Sequence, residues 1–141
     1  MTLLEEVAKL LQELGLGVYE PVGNRDVFLY ALPPTPDAAL VLTRAAGRES
    51  DAHLPYDEPV VQIGVRGPKT GAPDSEARAQ AIYDALHGLG ERALAGGTRL
   101  VLAVGTDGGP VYQTRDGDGR DQWIVNMRME LYRPGGNRPQ T

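Results

Sequence analysis

Residues 59–89 read PVVQIGVRGPKTGAPDSEARAQAIYDALHGL, and this stretch decides the fold. Over residues 59–66, Val61, Ile63 and Val65 fall on one side while Val60, Gln62, Gly64 and Arg66 fall on the other. That is the two-residue period of a strand in a sheet with one dry face. Residues 67–73 are rich in Gly and Pro and read as a turn. A helix is predicted from Asp74 or Ser75, because Ala79, Ile82, Ala85, Leu86 and Leu89 recur at three- and four-residue steps. Such a stripe lies naturally on the dry face of the strand before it. A strand that hands over to a covering helix is the nucleus of an α+β layer.

Upstream, Thr2 and Glu5 have the spacing of a capping box, and Leu3, Leu4, Val7, Leu10, Leu11 and Leu14 form a helical stripe opposite Glu6, Lys9 and Glu13. Gly15 is placed to end that helix in the left-handed conformation. Residues 27–32 and 38–43 read as strands joined by Pro33-Pro34-Thr35-Pro36-Asp37, where three prolines withhold amide donors and pre-set a rigid corner. Residues 44–58 are polar and poor in apolar side chains, and are expected to form a long exposed loop, either an assembly element or a flexible insertion. Downstream, residues 91–94 are expected to extend the second helix before Gly96-Gly97 breaks it. Residues 100–104 are apolar on both faces, as in an interior strand. A short strand is expected at 111–114, a polar Gly/Asp turn at 115–121 and a last strand at 122–132. In that strand Trp123, Val125, Met127, Met129 and Leu131 oppose Asn126, Arg128 and Glu130.

The expectation is therefore an α+β fold, a single domain over residues 1–133 with two helices on one face of a mostly antiparallel sheet, followed by a flexible tail at 134–141. With 141 residues the chain is long enough to bury roughly two thirds of its unfolded surface in one core. The 18 Gly and 11 Pro cluster between the apolar runs, which fits many turns and short strands. The absence of Cys removes disulfides, thiolate metal sites and a cysteine nucleophile, and fits a reducing cytoplasm. Glu5 and Glu6 interrupt the first apolar segment, so it does not read as a signal peptide, and no run is apolar enough to cross a bilayer; a soluble chain without membrane contact is expected. A net charge of -5 disfavours a free-standing nucleic-acid binder.

Asp116, Asp118 and Asp121 resemble calcium ligands in a Gly-rich loop, but an EF-hand register puts Arg120 at a ligand position and Met127 where the closing Glu belongs. A hairpin turn explains them better. His53 and His87 have no local carboxylate or nucleophile in a recognisable motif, and no Walker or dinucleotide fingerprint is present. No catalytic residue, cofactor or metal site is expected. The polar face of the sheet and the 44–58 segment remain as candidate assembly surfaces, with Arg44, Arg48, Gln62, Arg66, Asn126, Arg128 and Glu130 as their residues.

Several stretches resemble the minor capsid or tail terminator family of long-tailed bacteriophages: Leu14-Gly15-Leu16-Gly17-Val18-Tyr19 after the first helix, the Leu32-Pro33-Pro34-Thr35-Pro36-Asp37 corner, and Pro59-Val60-Val61-Gln62-Ile63-Gly64-Val65-Arg66-Gly67 followed by a helix over 77–89. The similarity spans about residues 3–132. It implies a non-enzymatic virion protein, made in the host cytoplasm, that forms a hexameric ring capping the tail tube. It also implies partners: further copies of itself, the tail tube protein, a head-completion or stopper protein, and DNA passing through the hole without sequence-specific binding. A head-completion or stopper neck protein is the nearest alternative. A small ligand-binding domain or enzyme with a site built from distant residues, and a monomeric interaction module, are the others.

Overall fold

The first helix, α1 (Leu3–Glu13), starts where the sequence places it. Thr2 Oγ1 accepts from the Glu5 amide at 3.2 Å, and the Thr2 amide donates to Glu5 Oε1 at 3.0 Å. Gly15 takes φ +74 directly after the helix cap at Leu14. In the computed structural model, which describes residues 1–138, the other elements are β1 (Val27–Leu29), β2 (Ala39–Arg48), β3 (Tyr56–Arg66), α2 (Ala72–Leu86), β4 (Arg92–Ala93), β5 (Arg99–Gly105), β6 (Val111–Arg115) and β7 (Asp121–Tyr132). The last three residues of the expected flexible tail lie outside the described residues.

The sheet runs β1-β2-β3-β7-β5-β4, and β6 pairs with β7 beside β5. All pairings are antiparallel except β1 with β2. Both β5 and β6 run along one edge of β7, as one strand interrupted at residues 106–110. The dry face carries Val61, Ile63 and Val65 from β3 and Val125, Met127, Met129 and Leu131 from β7, all essentially inaccessible. The leucines of α1 and Ala79, Ile82 and Leu86 of α2 join them in one contiguous core. Burying each large side chain of this kind contributes about 1.5–3 kcal/mol, so two helices on one sheet face form a single cooperative unit.

The hand-over from β3 to α2 is tight. A Cβ built on Gly67 would stand 2.4 Å from Ser75 Cβ, so only glycine lets the chain turn here. Ser75 is buried beneath that turn and its hydroxyl accepts from Trp123 Nε1 at 3.0 Å, which ties α2 to β7.

Five expectations are corrected. Residues 44–58 are not one loop: β2 continues to Arg48 and β3 begins at Tyr56, leaving residues 49–55 to join them. This hairpin arm is held by ladder pairs such as Arg44↔Val61 and Ala45↔Val60, and residues 44–50 are exposed, so no apolar alternation marks it. Residues 91–94 do not prolong α2: Gly88, at φ +83, donates to the Ala103 carbonyl, and Arg92 and Ala93 pair with β5. The strand expected over 27–32 stops at Leu29, because Tyr30 takes φ +71 and turns the chain. Helix α2 starts at Ala72, slightly before the expected residues, with proline in its first turn. Glu6 does not sit on a solvated face of α1: it is 3% exposed and its carboxylate accepts from the amides of Gly96 and Thr98 and from Thr98 Oγ1.

Candidate assembly surface

The face of the sheet turned away from the helices carries the even-numbered residues of β3 and β7, because side chains alternate along a strand. Its polar groups gather toward the arm. Glu58 stands between two guanidinium groups, with Oε1 3.1 Å from Arg128 Nε and Oε2 3.6 Å from Arg48 Nη1. Arg128 Nη2 donates to Glu130 Oε2 at 3.1 Å. The Arg128 Nε–H is buried and makes no directed hydrogen bond, so its contact with Glu58 is an ion pair of poor angle. Arg48 is 79% exposed and its pairing with Glu58 contributes little to stability. The Tyr56 phenol is pushed up to about 12 by its partial burial, by the Glu130 carboxylate at its hydroxyl and by the charge of Glu58.

Three of the expected residues, Arg48, Arg128 and Glu130, are thus brought into one cluster with Glu58 and Tyr56. Gln62 and Asn126 are register partners in the middle of the same face. Asn126 Nδ2 donates to Asp107 Oδ2 at 2.9 Å, and its carbonyl accepts from the Thr106 amide at 3.0 Å, which fixes the break between β5 and β6. Arg44 stands apart, exposed on β2 with no ion pair among the described residues. Glu58 and Tyr56 lie before the apolar alternation that marks the strand from residue 59; extended backwards, its even parity places Glu58 and Tyr56 on the face of Val60 and Gln62.

Arg66 departs from the expected surface altogether. It is 4% exposed and holds the proline corner: Nε donates to the Asp37 carbonyl at 2.9 Å, and Nη2 to the carbonyls of Pro33 at 2.7 Å and Pro36 at 2.8 Å. Arg120 completes the clamp, with Nη1 donating to the Pro34 carbonyl at 2.7 Å. Burial lowers the affinity of Arg66 for its proton, and the neighbouring Arg120 charge acts in the same direction, while Asp116, Asp37 and Asp118 oppose it. The corner therefore lies on the far face of the sheet and covers its lower end. Nothing in the local spacing marks Arg120, whose corner partners lie more than eighty residues away.

The acidic turn is likewise bonded from within, apart from Asp121 Oδ2, which is buried without a hydrogen-bond partner among the described residues. Asp116 Oδ1 accepts from the amides of Asp118 and Arg120, and its Oδ2 accepts from Arg120 Nε at 2.8 Å. A guanidinium occupies the place a cation would take, and among the described residues no group of three His, Cys, Asp or Glu is arranged to hold a metal. Asp121 is buried, with Oδ1 accepting from Tyr112 Oη at 2.7 Å and Arg115 Nε at 3.2 Å. The Tyr112 hydroxyl, then Arg115, hold its carboxyl below the usual range against the cost of burial.

His87 Nδ1 accepts from the Gly105 amide at 2.9 Å and its ring stacks on Tyr83, while His53 lies in the exposed loop of the arm. The cleft beside the arm, of about 420 Å³, is lined by Arg48, Glu49, Ser50, Asp51, Leu54, Tyr56 and Glu58. Beyond the last strand, Arg138 returns to the arm, its two terminal nitrogens donating to Asp57 at 2.8 and 2.9 Å. This pairing, with the Ser50 hydroxyl, holds the Asp57 carboxyl down to about 2. Among the described residues no helix is long and apolar enough to cross a membrane.

A family model described as bacteriophage tail terminator protein matches residues 10–133, which takes in every strand and α2. The comparison with curated proteins returned no match.

Proposed function

Because this chain belongs to the bacteriophage tail terminator family, and so is a structural component of the phage virion, we propose that six copies close into a ring at the head-proximal end of the tail. The ring caps the tail tube, stops its growth and offers the surface on which the filled head docks. Its partners are further copies of the chain, the tail tube protein and a head-completion or stopper protein. The reading is non-enzymatic: the side chains of the far sheet face are there to be covered, not to transform a substrate.

The observation that carries the reading is the family match over residues 10–133. The geometry is compatible with it. A ring needs a heterologous interface, in which one patch meets a different patch on the next copy. The arm and the Arg48–Glu58–Arg128–Glu130 cluster supply a charged patch whose ion pairs can re-pair with a neighbour. The net charge of -5 suits a lumen through which DNA slides, since dense Lys and Arg would hold its phosphates.

Native mass spectrometry of the purified protein over a range of concentrations tests this directly. A species of six times the 15.1 kDa chain mass is expected. Imaging of labelled virions should place the protein where head meets tail. An isologous dimer as the largest assembly, or a label elsewhere in the particle, would refute the reading.

A further inference from the structure

Among the described residues the sheet ends in two very short strands, β1 and β4, and two further stretches of backbone edge stand open beside them, the part of β2 beyond β1 and the whole of β6; these two are complementary. On β2, the Leu40 amide donates to the Asp26 carbonyl and the Leu42 carbonyl accepts from the Tyr30 amide, so the even residues turn their backbone groups toward β1. β1 ends opposite Leu42. Arg44, next in that parity, points its N–H and C=O at a side where no strand lies among the described residues. β6 is the second such edge: it pairs with β7 on one side, and on the other no strand lies among the described residues. All five of its residues are exposed, with Val111 at 45% and Tyr112 at 46%. An exposed edge strand carrying apolar side chains is a template for another chain.

The two edges sit at opposite sides of one sheet and at opposite ends of it. The registers place Thr114 level with Gln122, Arg66 and Ala39, and Val111 level with Ile124, Gly64 and Val41. The open part of β2 lies beyond Leu42, toward the arm. The strands alternate in direction from β2 through β3 and β7 to β6, so the β2 of a neighbouring copy would meet β6 antiparallel.

We infer that the open edge of β2 in one copy pairs antiparallel with β6 of the next. This rests on the ring reading and says which surfaces close the ring. Setting Ala45 beside Val111 or Thr114, all three on the far face, slides the next copy by four or six residues, about 13–20 Å at the usual rise per residue. Each copy contributes four strand spacings, about 19 Å. The strands would then tilt by about 35–47°, which covers the roughly 35–45° typical of strands in closed barrels. An offset near zero would give a flat ribbon. The stagger between the two edges is what turns a head-to-tail contact into a closed one.

The chain has no Cys, so introduced thiols report on this contact alone. Ala45→Cys is mixed with Thr114→Cys, and separately with Val111→Cys, and oxidised; all three positions are exposed. One of the two mixtures is expected to give at least tenfold more disulfide-linked dimer than any variant by itself. Arg44→Pro removes an amide that bonds nothing within the chain. It should leave the monomer Tm unchanged and reduce the assembled fraction at least tenfold, whereas Arg44→Ala should reduce it far less. Closed rings seen by native mass spectrometry with no disulfide in either mixture would overturn the edge pairing and leave the ring standing. Self-linkage of Ala45→Cys as efficient as the mixtures would overturn the head-to-tail arrangement. Monomers at every concentration, with no disulfide, would overturn both.

Discussion

Replacing Arg66 by Met keeps the stem of the side chain and removes its guanidinium, which isolates the clamp on the proline corner. Three hydrogen bonds at 2.7–2.9 Å are lost, each from a charged donor to a carbonyl. Bonds of this class contribute about 1.5–3 kcal/mol each. The full sum is not expected. Pro36 is exposed, and Pro33 and Asp37 are half-buried, so water replaces part of what is lost. Removing Arg66 also ends the cost of holding two guanidinium groups side by side. A net loss of about 2–4 kcal/mol remains, which for a chain of this size lowers Tm by roughly 6–14 °C. Arg66→Lys should fall between, since an ammonium keeps the charge but not the fork that spans three carbonyls. Thermal melts by circular dichroism measure the global effect. Chymotryptic nicking after Tyr30, which is 68% exposed at the foot of the corner, measures the local one. An Arg66→Met variant that melts within about 1 °C of the parent and is nicked no faster would show that the corner holds itself through its prolines, and the clamp would be incidental.

Glu6→Ala leaves the amides of Gly96 and Thr98 without their buried acceptor and should cost about 2–4 kcal/mol in urea unfolding, with Glu6→Gln retaining part of it. Gly67→Ala forces a methyl against Ser75 and should lower stability by about 1–3 kcal/mol, while Gly67→Ala in a Ser75→Gly background should recover part of the loss at the expense of the Trp123 bond. The depressed Asp57 carboxyl makes the arm's tie to Arg138 sensitive to acid. Its folded value, about 2, lies below the unfolded one, so the stabilisation is present above the unfolded value near 4 and is lost as pH falls toward 2. Arg138→Gln should flatten that part of the stability–pH profile, and an unchanged profile would assign the effect to other carboxyls.

Much of the fold was legible because its signals are local. The alternation from Val61 to Val65 and from Val125 to Leu131, the leucine stripe of α1 and the capping box of Thr2 and Glu5 each needed only near neighbours. What escaped was set by distant partners. The β2 side of the arm carries no apolar alternation because residues 44–50 are exposed, so pairing with β3 is what makes that stretch a strand. Glu6 looked solvated because the turn it bonds lies ninety residues on. Of the expected surface residues, Arg48, Arg128 and Glu130 converge, since strand parity places them together. Arg66 shares that parity and is nevertheless buried, because the corner that covers it is folded back from another part of the chain. The even parity of β3 was a sound guide to which face a residue occupies, but it carried no information about what lies on top of that face.

The cross-brace made by Arg66 and Arg120 gives the molecule two mechanically unlike ends. At one, two cations bind together three chain segments remote in sequence, so loosening any of them exposes the others' bonded groups. At the other, the outer strand of the arm is held by its ladder with β3 alone, while β3 is tied to β7 through Tyr56 and Asp57 and by ion pairs from Arg128 to Glu58 and from Arg138 to Asp57. Local opening follows the number of contacts that must be broken together, so amide exchange should be slow around the first end and fast in the second. In the ring proposed above, a subunit built in this way would bend where its arm meets the next copy while keeping a fixed shape elsewhere, and small differences in curvature would be absorbed by the arm.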